Sequence, residues 1–171
     1  MTLLKKKKNA RYDLPSSEAM LLIENIFIVL ILVIILFTRI IGVAHVSGDS
    51  MSPAFHNGEA VYYNRAVSQY KPGDVVVINL PDGEHFIKRI AAIPGETVEV
   101  RDGQLYVNGQ VREFAQAQGK TTEEAEDIKY PLKLEQGQFF VLGDNRENST
   151  DSRSFGPFVE KQFLGKVITN R

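Results

Sequence analysis

The 171-residue sequence contains no cysteine, which excludes disulfides, thiol nucleophiles and cysteine-ligated zinc or iron-sulfur centres. Charge of one sign is also missing. The formal net charge is -1, and no segment beyond the extreme N-terminus is strongly basic, so nucleic acid is not an expected partner. Histidine is scarce as well: His45, His56 and His85 stand in no recognisable Ser-His-Asp setting. The EF-hand spacing is absent, and neither metal nor cofactor is expected. There is no internal repeat.

With 43% hydrophobic and 24% charged residues, the chain can form one globular domain with a real core. Its charge is divided unevenly. Residues 1–43 carry Lys5, Lys6, Lys7, Lys8, Arg11 and Arg39 against Asp13, Glu18 and Glu24, a balance of +3, which leaves the remainder at -4. Between the basic cluster and the acidic remainder lies an apolar stretch from Met20 to Val43, uninterrupted from Ile26 to Phe37. As a helix it would reach roughly 36 Å at about 1.5 Å per residue, enough to cross a hydrocarbon core of about 30 Å. A buried helix hydrophobic on every face would need a larger domain around it. A cleavable signal would want small neutral residues where Arg39 stands. The reading is therefore a cytoplasmic basic tail (1–19), a transmembrane helix (20–43) and an extracytoplasmic domain (44–171), with the lysines inside.

Residues 44–171 read as mainly antiparallel β, in a sandwich or partly closed barrel. Strands are expected at Ala60–Tyr63, Asp74–Leu80, His85–Ile93, Thr97–Arg101 and Phe139–Leu142, punctuated by Pro-Gly, Asp-Gly and Asn-Gly. Gln104–Val107 and Gln110–Arg112 flank Asn108-Gly109, a strong hairpin signal, because a type I′ turn needs positive φ at both central residues. A small excursion is expected at about 102–135. Within it Glu113–Lys129, with Glu123, Glu124, Glu126 and Asp127, reads as a solvated face.

Three segments carry chemistry. In Val46–Pro53, Ser50 follows Gly48-Asp49; taken alone it could be a turn residue. In Glu84–Gly95, period-two alternation puts Lys88 on a face with Phe86, Ile90 and Ala92. Burial there would disfavour the ammonium and free the amine to accept a proton, the base a serine hydroxyl needs. In Gly143–Arg153, alternating carboxylates and guanidiniums suggest a braced loop that orients other groups.

Together these segments resemble the bacterial type I signal peptidases, in the small form typical of Gram-positive cells. The nucleophile motif Gly-x-Ser-Met-x-Pro is met by Gly48–Pro53, the base motif by Lys88-Arg89 with Pro94-Gly95, and Gly-Asp-Asn-x-x-x-Ser-x-Asp-Ser-Arg by Gly143–Arg153. The resemblance implies a membrane-bound serine endopeptidase. Ser50 would be the nucleophile and Lys88 the base, with Ser149 orienting the amine and Asp151–Arg153 and Asp144–Arg89 pairs bracing the site. The oxyanion would rest on the Ser50 N–H and a second donor near Gly48, which stands where some relatives carry a serine. Met51, Pro53 and Phe86 are candidate substrate contacts. The implied substrates are signal peptides of secretory preproteins, cut after small residues of the Ala-x-Ala type. Membrane lipid and the protein export machinery are the other expected partners. A penicillin-binding enzyme would want lysine where Pro53 stands. The alternative is a catalytically silent assembly factor on the same fold, for example in pilus assembly.

Overall fold

The structure, a computed structural model, describes residues 16–168. Most of the basic tail, including Lys5–Lys8 and Arg11, lies outside the described residues. The chain divides into two compact units that part between Thr38 and Arg39.

The described part of the first unit is helical: helix α1 runs Ser17–Ile40, its last two residues falling in the second unit. Ser16 caps its start: its carbonyl accepts from Met20 N at 3.0 Å and its hydroxyl from Ala19 N at 3.3 Å. Glu18 in the first turn and Arg39 in the last complement the helix dipole. None of its residues is buried, and large apolar side chains from Met20 to Phe37 are exposed all round. That surface does not suit water. An 18-residue stretch of the helix has mean hydropathy 3.0; the helix is long and apolar enough to cross a membrane and is consistent with an anchor. It ends three residues short of the expected Val43, because Ile41–His45 is strand β1.

The second unit is mainly antiparallel β. The further strands are β2 Ala60–Asn64, β3 Val75–Asn79, β4 His85–Ala92, β5 Thr97–Arg101, β6 Gln104–Val107, β7 Gln110–Val111, β8 Leu132–Lys133, β9 Gln138–Leu142, β10 Phe158–Val159 and β11 Phe163–Val167. They form a seven-stranded sheet, ordered β1-β2-β11-β3-β4-β9-β10, and a four-stranded sheet, ordered β7-β6-β5-β8. The mainly antiparallel β expectation holds, and among the described residues neither sheet forms a closed barrel. The four-stranded sheet is built from strands between Thr97 and Lys133, a range that overlaps the excursion expected at about 102–135 and takes in β5 before it. At its tip Asn108 (φ 53°) and Gly109 (φ 77°) turn β6 into β7 as the Asn-Gly signal requires.

β4 is the strand that matters for the site. It lies between β3 and β9, and its residues from Ile87 to Ala92 are all buried, so the alternation read from sequence hides two covered faces rather than one. Val75, Val77 and Ile87 join Met51 and Phe55 in one core cluster; Val76, Ile78 and Ile90 join Phe139 and Val141 in another. Ala91 and Ala92 meet Val98, Leu105 and Phe140 in a third, which seats the small sheet.

β11 threads between β2 and β3 only because Gly165 lacks a side chain: a Cβ there would collide with the Asn64 carbonyl oxygen. Gly165→Ala should therefore destabilise the β domain by about 2–3 kcal/mol. Thermal or denaturant unfolding in detergent checks this, and unchanged stability would mean the two backbones can part there.

Candidate active site

Three chain segments converge on the Lys88 amine. β4 supplies Lys88 from the middle of the large sheet, the turn after β1 supplies Ser50, and the loop after β9 supplies Ser149. The loop is fastened on both sides. Asn145 N–H donates to the Ser50 carbonyl at 3.0 Å and Asn145 Nδ2 to the Asp49 carbonyl at 3.3 Å. Gln118 N–H donates to Asp144 O at 2.7 Å, and Arg146 N–H to Gln118 O at 2.9 Å. Gly143 permits the approach, since a Cβ there would collide with the Ser149 side chain and crowd the Ser50 carbonyl.

Lys88 Nζ stands 2.8 Å from Ser50 Oγ and 3.1 Å from Ser149 Oγ. Ser149 O–H donates to Asp151 Oδ2 at 2.8 Å, so its only proton is committed and its oxygen must accept from the amine. That leaves the nitrogen lone pair of a neutral Lys88 for Ser50. Lys88 is 3% exposed, and Phe86 presents its ring 5.1 Å from Nζ. Burial is the main influence and pulls the Lys88 pKa from 10.5 down to about 8, with Asp151 opposing it.

The carboxylates behind these groups are all held. Asp151 accepts from Arg153 Nε and Nη2, both at 2.9 Å, from Arg153 N–H and from Gly143 N–H. It also caps the short helix α2, Ser152–Phe155. Asp144 takes a bidentate pair from Arg89 Nε and Nη2, both at 2.7 Å, and Arg89 Nη1 donates to Gly73 O.

Ser50 and Lys88 open into a cavity of about 220 Å³, lined also by Val46, Met51, Phe86 and Ile87. Pro53 is elsewhere, in a separate depression with His56 and Gln116. Gly48 lines the cavity at φ 77°, but its N–H is engaged by Asn57 Oδ1 at 3.0 Å. His85 lines the same space, yet no hydrogen bond among the described residues joins it to Ser50. Two participants escape a reading of the sequence. Arg146 is buried on Gly143 O and Thr121 Oγ1, and Glu124 reaches Arg153 from the small sheet's long connection. The chemistry of the second was visible only as part of an acidic run. Among the described residues no group of His, Cys, Asp and Glu is placed to hold a metal.

A hydroxyl in contact with a buried amine, beside a small cavity lined by both polar and apolar residues, is an arrangement able to support a serine nucleophile of the kind serine peptidases use. Comparison with known proteins narrows the class. The family model described as signal peptidase, peptidase S26, matches residues 19–170. Signal peptidase I S of Bacillus subtilis is 38% identical over 153 residues, covering 83% of this chain and 83% of that one. A signal peptidase I of Bacillus amyloliquefaciens is 37% identical over 152 residues, covering 83% and 82%. A solved signal peptidase I from Enterococcus faecalis is 32% identical with a TM-score of 0.49, covering 61% of this chain and 100% of that one. The chain belongs to the signal peptidase family, peptidase S26.

The Lys88 pKa also has a cost in stability. The folded value of about 8 lies below the ordinary 10.5, so the unfolded chain holds the proton more tightly. Below pH 8 the buried ammonium then destabilises the fold by about 3 kcal/mol, a penalty that fades as pH rises toward 10.5. Lys88→Met should melt higher than the parent at pH 7, with the gap narrowing at alkaline pH. A variant less stable than the parent at neutral pH would show that the amine is not desolvated.

Proposed function

We propose that this chain is a signal peptidase I that removes signal peptides from exported preproteins, with Ser50 as nucleophile and Lys88 as general base. The observation that carries the reading is the 2.8 Å contact between Ser50 Oγ and an amine only 3% exposed. A silent assembly factor would have no use for a desolvated lysine held on a serine, at a cost in stability.

In the proposed reaction the neutral amine removes the Ser50 proton as Oγ bonds to the scissile carbonyl carbon. The oxyanion meets the Ser50 N–H, which has no acceptor among the described residues. Lys88 then passes the proton to the departing amine as the C–N bond breaks, leaving an acyl-enzyme on Ser50. A water enters, gives its proton to Lys88 and attacks the ester, and the proton returns to Ser50 as the acid leaves. Ser149 keeps the lone pair aimed throughout, and the braced Asp151 keeps Ser149 aimed. Small residues before the cut suit the cavity of about 220 Å³ between Met51, Phe86, Val46 and Ile87. Phe86 and Met51 are the proposed substrate contacts; Pro53 has no place in that cavity.

Helix α1 would anchor the domain in the membrane, with Lys5–Lys8 on the cytoplasmic side and the β domain outside. Lipid around α1 and the export machinery are then its neighbours. In intact protoplasts, added protease should digest the β domain and spare the basic tail; protection of the domain until lysis would reverse the topology.

The chemistry is tested by single-turnover cleavage of a precursor carrying an Ala-x-Ala site, with mass spectrometry of the new N-terminus. Ser50→Ala and Lys88→Ala should each abolish cleavage without adding to one another. Only the neutral amine is a base, so the parental rate should rise with pH through about 8, and Lys88→Arg should stay inactive. Near-normal turnover in either alanine variant, or loss of the rising limb on replacing His85, would remove Lys88 from the role.

A further inference from the structure

The acidic connection between β7 and β8 reads in sequence as a solvated face, but its four carboxylates are not equivalent. Glu123, Glu126 and Asp127 form no ion pair among the described residues, whereas Glu124 Oε1 lies 2.9 Å from Arg153 Nη1. The Glu124 side chain is 28% exposed and that of Arg153 is 0% exposed, so the pair joins surface to interior. The other carboxylate oxygen of Glu124 accepts from Ser154 Oγ, which fixes its orientation. Arg153 uses its remaining donors inward: Nε and Nη2 hold Asp151, and Nη2 also reaches the carbonyls of Arg146 and Ser149. Nη1 is buried and has no hydrogen-bond acceptor, and Glu124 is its counter-charge.

A continuous relay results. Glu124 holds Arg153, Arg153 holds Asp151, Asp151 takes the Ser149 proton, and Ser149 accepts from Lys88, which touches Ser50; the hydrogen bonds from Asp151 to Ser50 are between 2.8 and 3.1 Å. We propose that Glu124 is a positioning residue for the Ser50–Lys88 reaction, anchoring Arg153 and balancing its charge in the field felt by the Lys88 amine. This rests on the reading of Lys88 as the base. It gives the excursion a part in catalysis that its sequence conceals.

The charged groups acting on Lys88 are few. Asp151, Glu124 and Asp144 favour the ammonium, while Arg153 and burial favour the amine. On its own strand the neighbouring Arg89 is neutralised by Asp144, and His85, next to Phe86 and three residues from Lys88, lies at the exposed strand start and lines the same cavity. Removing the charge of Glu124 leaves Arg153 less offset, so the amine is favoured and becomes a base at lower pH. It also leaves the buried Nη1 with no counter-charge, which loosens Arg153, and with it the grip on Asp151 and Ser149. A lower plateau with the rising limb moved to lower pH is not the pattern of general destabilisation, which would lower the active fraction without moving the limb.

The test is the pH dependence of single-turnover cleavage by the full-length chain in detergent, for the parent, Glu124→Gln, Glu124→Asp, Ser154→Ala and the charge-matched neighbour Glu123→Gln. Glu124→Gln should lose about tenfold at the plateau, the scale for removing an outer support of an orienting group, and its limb should move to lower pH. Glu124→Asp should return the limb toward the parental position, and Glu123→Gln should follow the parent. An unmoved limb in Glu124→Gln, or an equal movement in Glu123→Gln, overturns the proposal. Should Glu124→Gln fail to fold, Ser154→Ala decides: it frees the carboxylate without changing charge, so a lowered plateau supports the proposal and a parental plateau overturns it. A parent with no limb near pH 8 would instead bring down the Lys88 reading, and this inference with it.

Discussion

A lysine amine taken out of water must either find an anion or give up its proton, and Lys88 is denied the anion. Its two hydrogen-bond partners are hydroxyls, Ser50 and Ser149. The nearest carboxylate in the relay, Asp151, is kept one hydroxyl away and is itself saturated by Arg153 and Gly143. Direct contact with Asp151 would hold the ammonium and remove the base. Interposing Ser149 keeps the aim of the carboxylate while weakening its pull.

The rest of the β domain can be understood as what that arrangement requires. An amine this buried needs a strand covered on both faces, and β4 has β3 and β9 beside it and core clusters on either side. Ser50 must reach it from a distant segment, and Asn145 clips that turn to the loop carrying Ser149. The loop in turn holds three buried arginines, Arg89 through Asp144, Arg146 and Arg153. Buried ion pairs of this kind contribute little net stability, and their worth lies in fixing geometry. The cost of the desolvated lysine and the braced loop is what the proposed reactivity of the site would require at some expense of stability.

Much of this was legible in the sequence, for identifiable reasons. β2, β5, β6 and β9 announce themselves by β-branched and aromatic runs between turn residues, and Asn108-Gly109 admits one kind of hairpin. β1 was hidden because Ile41–Val43 continue the apolar run of α1, and only pairing with β2 distinguishes them. β11 was hidden because Gly165 and Lys166 break its alternation, and β8 and β10 are two residues each. Ser50 and Lys88 were legible through motifs whose spacing resembles a known family. Glu124 was not, because its partner lies beyond the small sheet's last strand and nothing local separates it from Glu123. Pro53 shows the converse: adjacency to Ser50 in sequence put it on the candidate roster, while the turn carries it out of the cavity.

The central claim is that the Lys88 amine gives up its proton near pH 8, well below the ordinary lysine value, and its ionisation can be observed without any substrate. With lysines labelled at Cε, a carbon NMR titration of the protein in detergent would follow each amine, the Lys88 signal being assigned by its loss in Lys88→Met. A midpoint near 8 for that signal is the predicted result. A midpoint at the ordinary lysine value of 10.5 would mean the amine stays charged where it is needed as a base, and would contradict the account.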